Sequence, residues 1–101
     1  MLPTVQTIRL LQGQTALVTG ANSGIGRAIA ISLGKAAANV VVNYVTKPED
    51  AEAVAEEIRS GGQRAMTAQA DVGTKRRCKA MFAAAVREFG TVDILVSNAG
   101  M

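Results

Sequence analysis

Three glycines, Gly20, Gly24 and Gly26, stand within seven residues of the stretch TGANSGIG, between a short apolar run and a segment of helical periodicity. Glycine weakens a helix start by up to about 1 kcal/mol, so three at one junction need a reason beyond secondary structure. Before them QTALVT, Gln14 to Thr19, reads as a buried strand. After them Ile25, Ala28, Ile29 and Leu33 recur at helical spacing, and Gly34 occupies the place of a C-terminal cap.

The same alternation continues along the chain. NVVVNY, Asn39 to Tyr44, is β-branched and nearly unbroken, as expected of a strand covered on both faces. Thr46-Lys47-Pro48-Glu49 matches a capping box, with the Thr46 hydroxyl on one free amide and Glu49 reaching back to another. The helix it opens runs to Ser60 with Val54 and Ile58 inward, and Gly61-Gly62 stops it. Arg64 to Val72 reads as a third strand, and a helix from about Thr74 to Phe89 places Cys78, Met81, Phe82, Ala85, Val86 and Phe89 on one stripe. Gly90 closes it, and Val92 to Gly100 is a fourth strand ending in a turn. The order βαβαβαβ predicts an α/β fold, a doubly wound parallel sheet with right-handed crossovers and helices on both faces. Residues 13–101 form one domain and residues 1–12 an N-terminal tail, with no linker or repeat.

Composition narrows the partners. An apolar fraction of 49% can fill a core, but with aromatics at 3% that core must be aliphatic and alanine-rich. The net charge of +3 comes from scattered residues apart from Lys75-Arg76-Arg77, with no aromatic platform among them, so nucleic acid is not an expected partner. That basic triplet sits at the positive end of a helix dipole, either as a solvated face or as an attractor of an anionic cofactor or acyl carrier. The single cysteine, Cys78, rules out an internal disulfide and suggests a reducing, cytoplasmic setting. No apolar run approaches a membrane span, and no metal-binding cluster is expected. The opening MLPTVQTIRLLQ lacks the long apolar middle of a signal peptide and reads as a frayed tail, with a targeting role left open by Arg9 and the lack of acids.

In such a fold the loop after the first strand leads into a helix whose first amides have no partner within the helix, which makes an anion site suited to a dinucleotide's pyrophosphate. Gly20 permits the tight turn, Gly24 lets backbone approach a ligand, and Gly26 lets helix meet strand closely. Alternatively, the glycines serve only a tightly packed turn. The pattern is T-G-x-x-x-G-x-G rather than G-x-G-x-x-G, and the phosphate-loop pattern G-x-x-x-x-G-K-[ST] is absent.

With TGANSGIG, the ADV triplet at Asp71 and SNAG at Ser97 to Gly100 in that order, the chain resembles the short-chain dehydrogenase/reductase family from LQGQTALVTG onward. VVNY and REFG look most like its glucose dehydrogenase and 3-oxoacyl carrier-protein reductase members. The resemblance implies a Rossmann sheet of order 3-2-1-4. It implies that Thr19 braces the loop, that Gly20, Asn22, Ser23, Gly24 and Gly26 hold the pyrophosphate, and that Ile25 backs the loop on the nicotinamide side. Asn43 and Tyr44 would stand near the adenosine ribose, Asp71 would accept from the adenine amino group, and Val72 would pack on its ring. Asn98, Ala99 and Gly100 would line the ribose side of the cofactor, with Ser97 departing from the family's usual Asn.

An acid at the end of the second strand would mark NAD by accepting from the ribose 2′-hydroxyl. Here no acid follows Asn43-Tyr44 before Glu49, which favours NADP, with NAD as the alternative. Ser23 stands where NADP-preferring relatives often carry a cation, leaving Lys47 as the nearest base.

Reduction of a carbonyl needs a proton donor, which this family supplies as a Tyr with a Lys four positions later and a Ser beside it. The one tyrosine, Tyr44, is followed four positions on by Pro48, and there is no histidine. No catalytic residue is assigned within this chain, and the family's Ser, Tyr and Lys would fall beyond Met101. The expectation is the coenzyme-binding half of an NAD(P)-dependent oxidoreductase acting on a carbonyl or alcohol, incompetent by itself. The alternative is a non-catalytic dinucleotide-binding or interaction module. In either case DILVS, Asp93 to Ser97, becomes an apolar sheet edge open to self-association.

Overall fold

The computed structural model describes residues 10–71 and 75–98. The elements run β1 (Thr15–Val18), α1 (Gly24–Lys35), β2 (Asn39–Tyr44), α2 (Pro48–Ser60), β3 (Ala65–Gln69), α3 (Lys75–Phe89) and β4 (Ile94–Val96). All strand pairs are parallel and the sheet order is β3-β2-β1-β4, as the resemblance implied. The register sets Leu17 beside Val41 and Leu95, and Val41 beside Met66.

Alternate residues of the central strands feed two cores. Ala16, Val18, Val40 and Val42 pack with Ala51, Val54, Ala55 and Ile58 of α2 and with α1, while Leu17 and Val41 pack on the opposite face with Met81 and Ala85 of α3. Each fully buried Leu or Val contributes about 1.5–3 kcal/mol over exposure, and the β-branched run of β2 supplies three of them. The two-sided arrangement follows from the topology. The chain steps from β1 out to β3 and then back past β1 to β4, so crossovers of one hand place α3 on the face opposite α1 and α2. The point where the strand order reverses, between β1 and β4, is where open α/β sheets bind ligands.

Four local expectations are corrected. Gly34 does not cap α1. The helix continues through Lys35 and ends at Ala36, followed by Ala37 at φ +81°. Gly34 lies inside the helix against α2, where an added Cβ would stand 2.9 Å from Cγ2 of Ile58, so the close crossing of two helices explains this glycine. The capping box at Thr46 is not formed either. The cap of α2 is Lys47, left-handed at φ +62°, with Pro48 as the first helical residue and no side-chain cap bond. The Thr46 carbonyl is instead held by Asn22 Nδ2 at 3.1 Å. Finally, Val86 does not join the apolar stripe of α3 and is 45% exposed. The third and fourth strands are also shorter than their apolar runs, because pairing with β2 and β1 ends at Gln69 and Val96. Among the described residues no helix is long and apolar enough to cross a membrane.

Candidate functional site

The loop between β1 and α1 is bonded to the carboxyl ends of the two neighbouring strands, β2 and β4. Gly20 and Gly24 both adopt positive φ, +60° and +61°, a conformation that costs a side-chain-bearing residue about 1–2 kcal/mol. A Cβ on Gly24 would meet nothing within 4 Å, so the backbone there faces open space. On Gly26 the same atom would lie 2.6 Å from Nδ2 of Asn98 and closer still to the Gly20 carbonyl oxygen. One glycine therefore opens the loop outward and the other lets the helix press against its own approach.

That approach is locked from both neighbouring strands. The buried Thr19 donates its amide to the Val96 carbonyl at 3.0 Å, and its hydroxyl accepts from the Asn98 amide at 2.8 Å. Asn98 also donates Nδ2 to the Gly20 carbonyl at 3.2 Å. From the other side Asn43 is fully buried and its amide group is fully used. Its Oδ1 accepts from the Gly20 amide at 3.0 Å, and Nδ2 donates to the carbonyls of Ala68 and Ala70 at 3.2 and 3.1 Å. The Asn43 carbonyl accepts the Ala21 amide at 2.9 Å. The side chain of Asn43 thus fixes the loop from behind.

These bonds consume the amides of Thr19, Gly20 and Ala21 and leave those at the start of α1, which have no partner within a helix. Ser23 is the extended cap of α1 and makes no side-chain cap bond, no acid stands in the first turn, and Ile25 is 73% exposed beside it. The arrangement presents a positive helix end and bare backbone amides, which suits an anion.

Beyond the loop, two side-chain amides hold the segment after β2. Asn22 Nδ2 donates to the Thr46 carbonyl, and Gln69 Nε2 donates to that of Val45 at 3.0 Å. A cavity of about 330 Å³ opens there, lined by Val45, Gln69, Ala70, Asp71 and Arg77. Asp71 is exposed at its rim, while the half-buried Tyr44 packs on the α1–α2 side of the sheet. A second hollow of about 390 Å³ lies between Asn22, Ser23 and Gly24 and the α2 residues Asp50 and Ala53, with Arg27 beside it. Arg27 is paired there with Glu57 at 3.2 Å.

Of the candidate residues, the structure brings Thr19, Gly20, Asn22, Ser23, Gly24, Ile25, Gly26, Asn43 and Asn98 to one loop, and sets Tyr44 and Asp71 at the neighbouring strand ends. Val72, Ala99 and Gly100 lie outside the described residues. Gln69 and the cavity-lining place of Arg77 were missed. The signal for Gln69 was its position just before ADV, at the end of a strand.

The family model for short chain dehydrogenase matches residues 14–101. The chain is 50% identical over 91 residues to versicolorin reductase 1 of Aspergillus parasiticus, covering 90% of this chain and 35% of that one. It is 48% identical over 88 residues to a 3-oxoacyl-[acyl-carrier-protein] reductase of Staphylococcus aureus, covering 87% and 36% respectively. Among solved structures, a dehydrogenase/reductase from Sinorhizobium meliloti 1021 superposes with a TM-score of 0.88 at 40% identity, over 94% of this chain and 38% of that one. A hydroxysteroid dehydrogenase from Escherichia coli gives 0.85 at 37% identity, over 94% and 40%. The chain therefore spans little more than a third of the length of these relatives.

Proposed function

The chain belongs to the short-chain dehydrogenase family, and from that premise we propose that it forms the coenzyme-binding part of an NADP-dependent oxidoreductase acting on a carbonyl or alcohol. The observation that carries this reading is the pairing of Gly24 with Gly26. Open space faces the first and packed backbone the second, so the start of α1 is bare on the side away from the sheet. A diphosphate fits that feature, because it needs backbone amides and no intervening side chain.

On this reading Gly20, Asn22, Ser23 and Gly24 hold the diphosphate, with Thr19, Asn43 and Asn98 fixing the loop behind them. Ile25 flanks the nicotinamide side, and Asp71 accepts from the adenine amino group. The bound coenzyme supplies or takes up a hydride. The preference for NADP over NAD rests on the end of β2, where Tyr44, Val45, Thr46 and Lys47 bring no carboxylate to repel a 2′-phosphate.

Catalysis by this chain alone is not part of the proposal. Tyr44 packs on the core at the end of β2 and has Pro48 rather than a lysine four positions on, so no described group is set to donate a proton to a carbonyl. Titration calorimetry of the chain with NADPH and NADH tests the binding reading. Saturable binding that is weakened by Gly24→Ala is expected, and no heat with either coenzyme would refute it. Incubation with NADPH and a panel of ketones is expected to give no turnover.

A further inference from the structure

Asn43 stands where the sheet runs out on both sides of it. Towards β1 the pairing stops at Val18 with Val42, one residue short of Asn43, and towards β3 it stops at Gln69 with Tyr44, one residue past it. Gly20 and Ala70 lie just beyond those ends, so the strand ladder no longer serves the Gly20 amide or the Ala70 carbonyl, and each needs another partner. The side chain of Asn43 supplies both. Its Oδ1 accepts from the Gly20 amide at 3.0 Å, and its Nδ2 donates to the Ala70 carbonyl at 3.1 Å and to the Ala68 carbonyl at 3.2 Å. The residue is fully buried, which keeps bulk water from these bonds.

A carboxamide suits this place because it carries an acceptor and a two-hydrogen donor on one rigid plane. Leucine would serve neither side. Aspartate, of the same shape, would keep the Gly20 bond and turn an oxygen onto two carbonyl oxygens. The two sides lead to different parts of the site. Gly20 begins the loop that runs to the bare start of α1, and Ala70 lines the cavity at the carboxyl ends of β2 and β3 beside Val45 and Gln69. The other ties in this region, from Asn22 to the Thr46 carbonyl and from Gln69 to that of Val45, are exposed and each holds one carbonyl.

We infer that Asn43 is a positioning residue whose buried carboxamide sets the spacing between the loop after β1 and the cavity beside Ala70, so that one ligand fills both. The inference rests on the coenzyme-binding reading above, with the diphosphate on the loop and the adenosine in the cavity. Asn43 itself touches no ligand, since its side chain is buried and spent on three backbone groups. Two linked parts of a ligand reinforce each other only when their subsites lie at the separation the linker spans. A side chain bonded to both holds that separation.

The test is ligand-observed nuclear magnetic resonance titration of the chain, Asn43→Ala and Asn43→Asp with ADP, which spans both places, and with inorganic pyrophosphate and adenosine, which each fill one. Circular dichroism confirms the fold. Alanine leaves room for water to meet the three backbone groups without aligning them, and aspartate keeps the shape and the Gly20 bond. Each variant should bind ADP about ten-fold or more weakly, while pyrophosphate and adenosine change by less than about two-fold. Unchanged ADP affinity in a folded variant would make Asn43 a stabilising residue only and overturn the inference, as would equal weakening of all three ligands. The unaltered chain gives a test that needs no variant: ADP should bind at least about a hundred-fold more tightly than either part, and parity would overturn the inference. If the unaltered chain binds none of the three, the coenzyme reading itself fails.

Discussion

Asn98 and Thr19 stand 79 positions apart, yet the Asn98 amide donates to the Thr19 hydroxyl at 2.8 Å. The same Asn98 reaches the Gly20 carbonyl with its side chain at 3.2 Å, so the residue two past the end of β4 ties that strand to the loop after β1. The bare start of α1 is held against that loop, and the space between them admits no further atom at Gly26.

Gly26→Ala is therefore expected to be costly. Its methyl group would fall within 2.6 Å of Asn98 Nδ2 and closer to the Gly20 carbonyl, which is backbone and cannot swing aside. A loss of about 1–3 kcal/mol in urea unfolding is expected, together with weakened coenzyme binding. Gly34→Ala, which meets only the flexible end of Ile58 at 2.9 Å, should cost less and leave binding intact.

Replacing Asn43 by Leu would strand the Gly20 amide and leave the Ala68 and Ala70 carbonyls without their side-chain donor. An unsatisfied buried polar group costs about 1–3 kcal/mol, so Asn43→Leu should lower stability by at least that amount despite being more apolar. Chemical denaturation measures the loss. A variant as stable as the parent would show that the loop does not depend on Asn43.

Ala37 and Lys47 hold positive φ, +81° and +62°, without being glycine. Ala37→Gly and Lys47→Gly should each raise stability by about 0.5–1 kcal/mol in thermal melts, because the left-handed backbone is less strained without a Cβ.

Leu95 lies on the edge strand β4 and is 54% exposed, on the same face as the buried Leu17. Unpaired backbone next to an apolar side chain invites strand-to-strand association. The chain is expected to self-associate in sedimentation velocity at high concentration, and Leu95→Lys should reduce this. A clean monomer throughout would contradict it.

Much of this architecture was legible because its signals are local. The apolar run TALV, the β-branched NVVVNY and the helical spacing after Gly24 each imprint their own element, and their alternation leaves few alternatives to a parallel sheet. The loop conformation of the candidate site was legible at Gly20 and Gly24 because positive φ is a property of the residue's own backbone. Asn43 was harder to interpret. A polar residue at a strand end looks like a ligand-facing group, whereas its amide is spent on Gly20, 23 positions away, and on β3.

The sequence by itself determined the order of elements, the glycine junction and the lack of an acid after β2, all of which follow from short-range sterics and charge. Only the tertiary structure decided that Gly34 serves a helix crossing, that Thr46 offers its carbonyl rather than its hydroxyl, and that Arg77 shares a cavity with Asp71. Each depends on a partner from another element. A close approach or a shared cavity belongs to two surfaces at once, and neither surface alone records it.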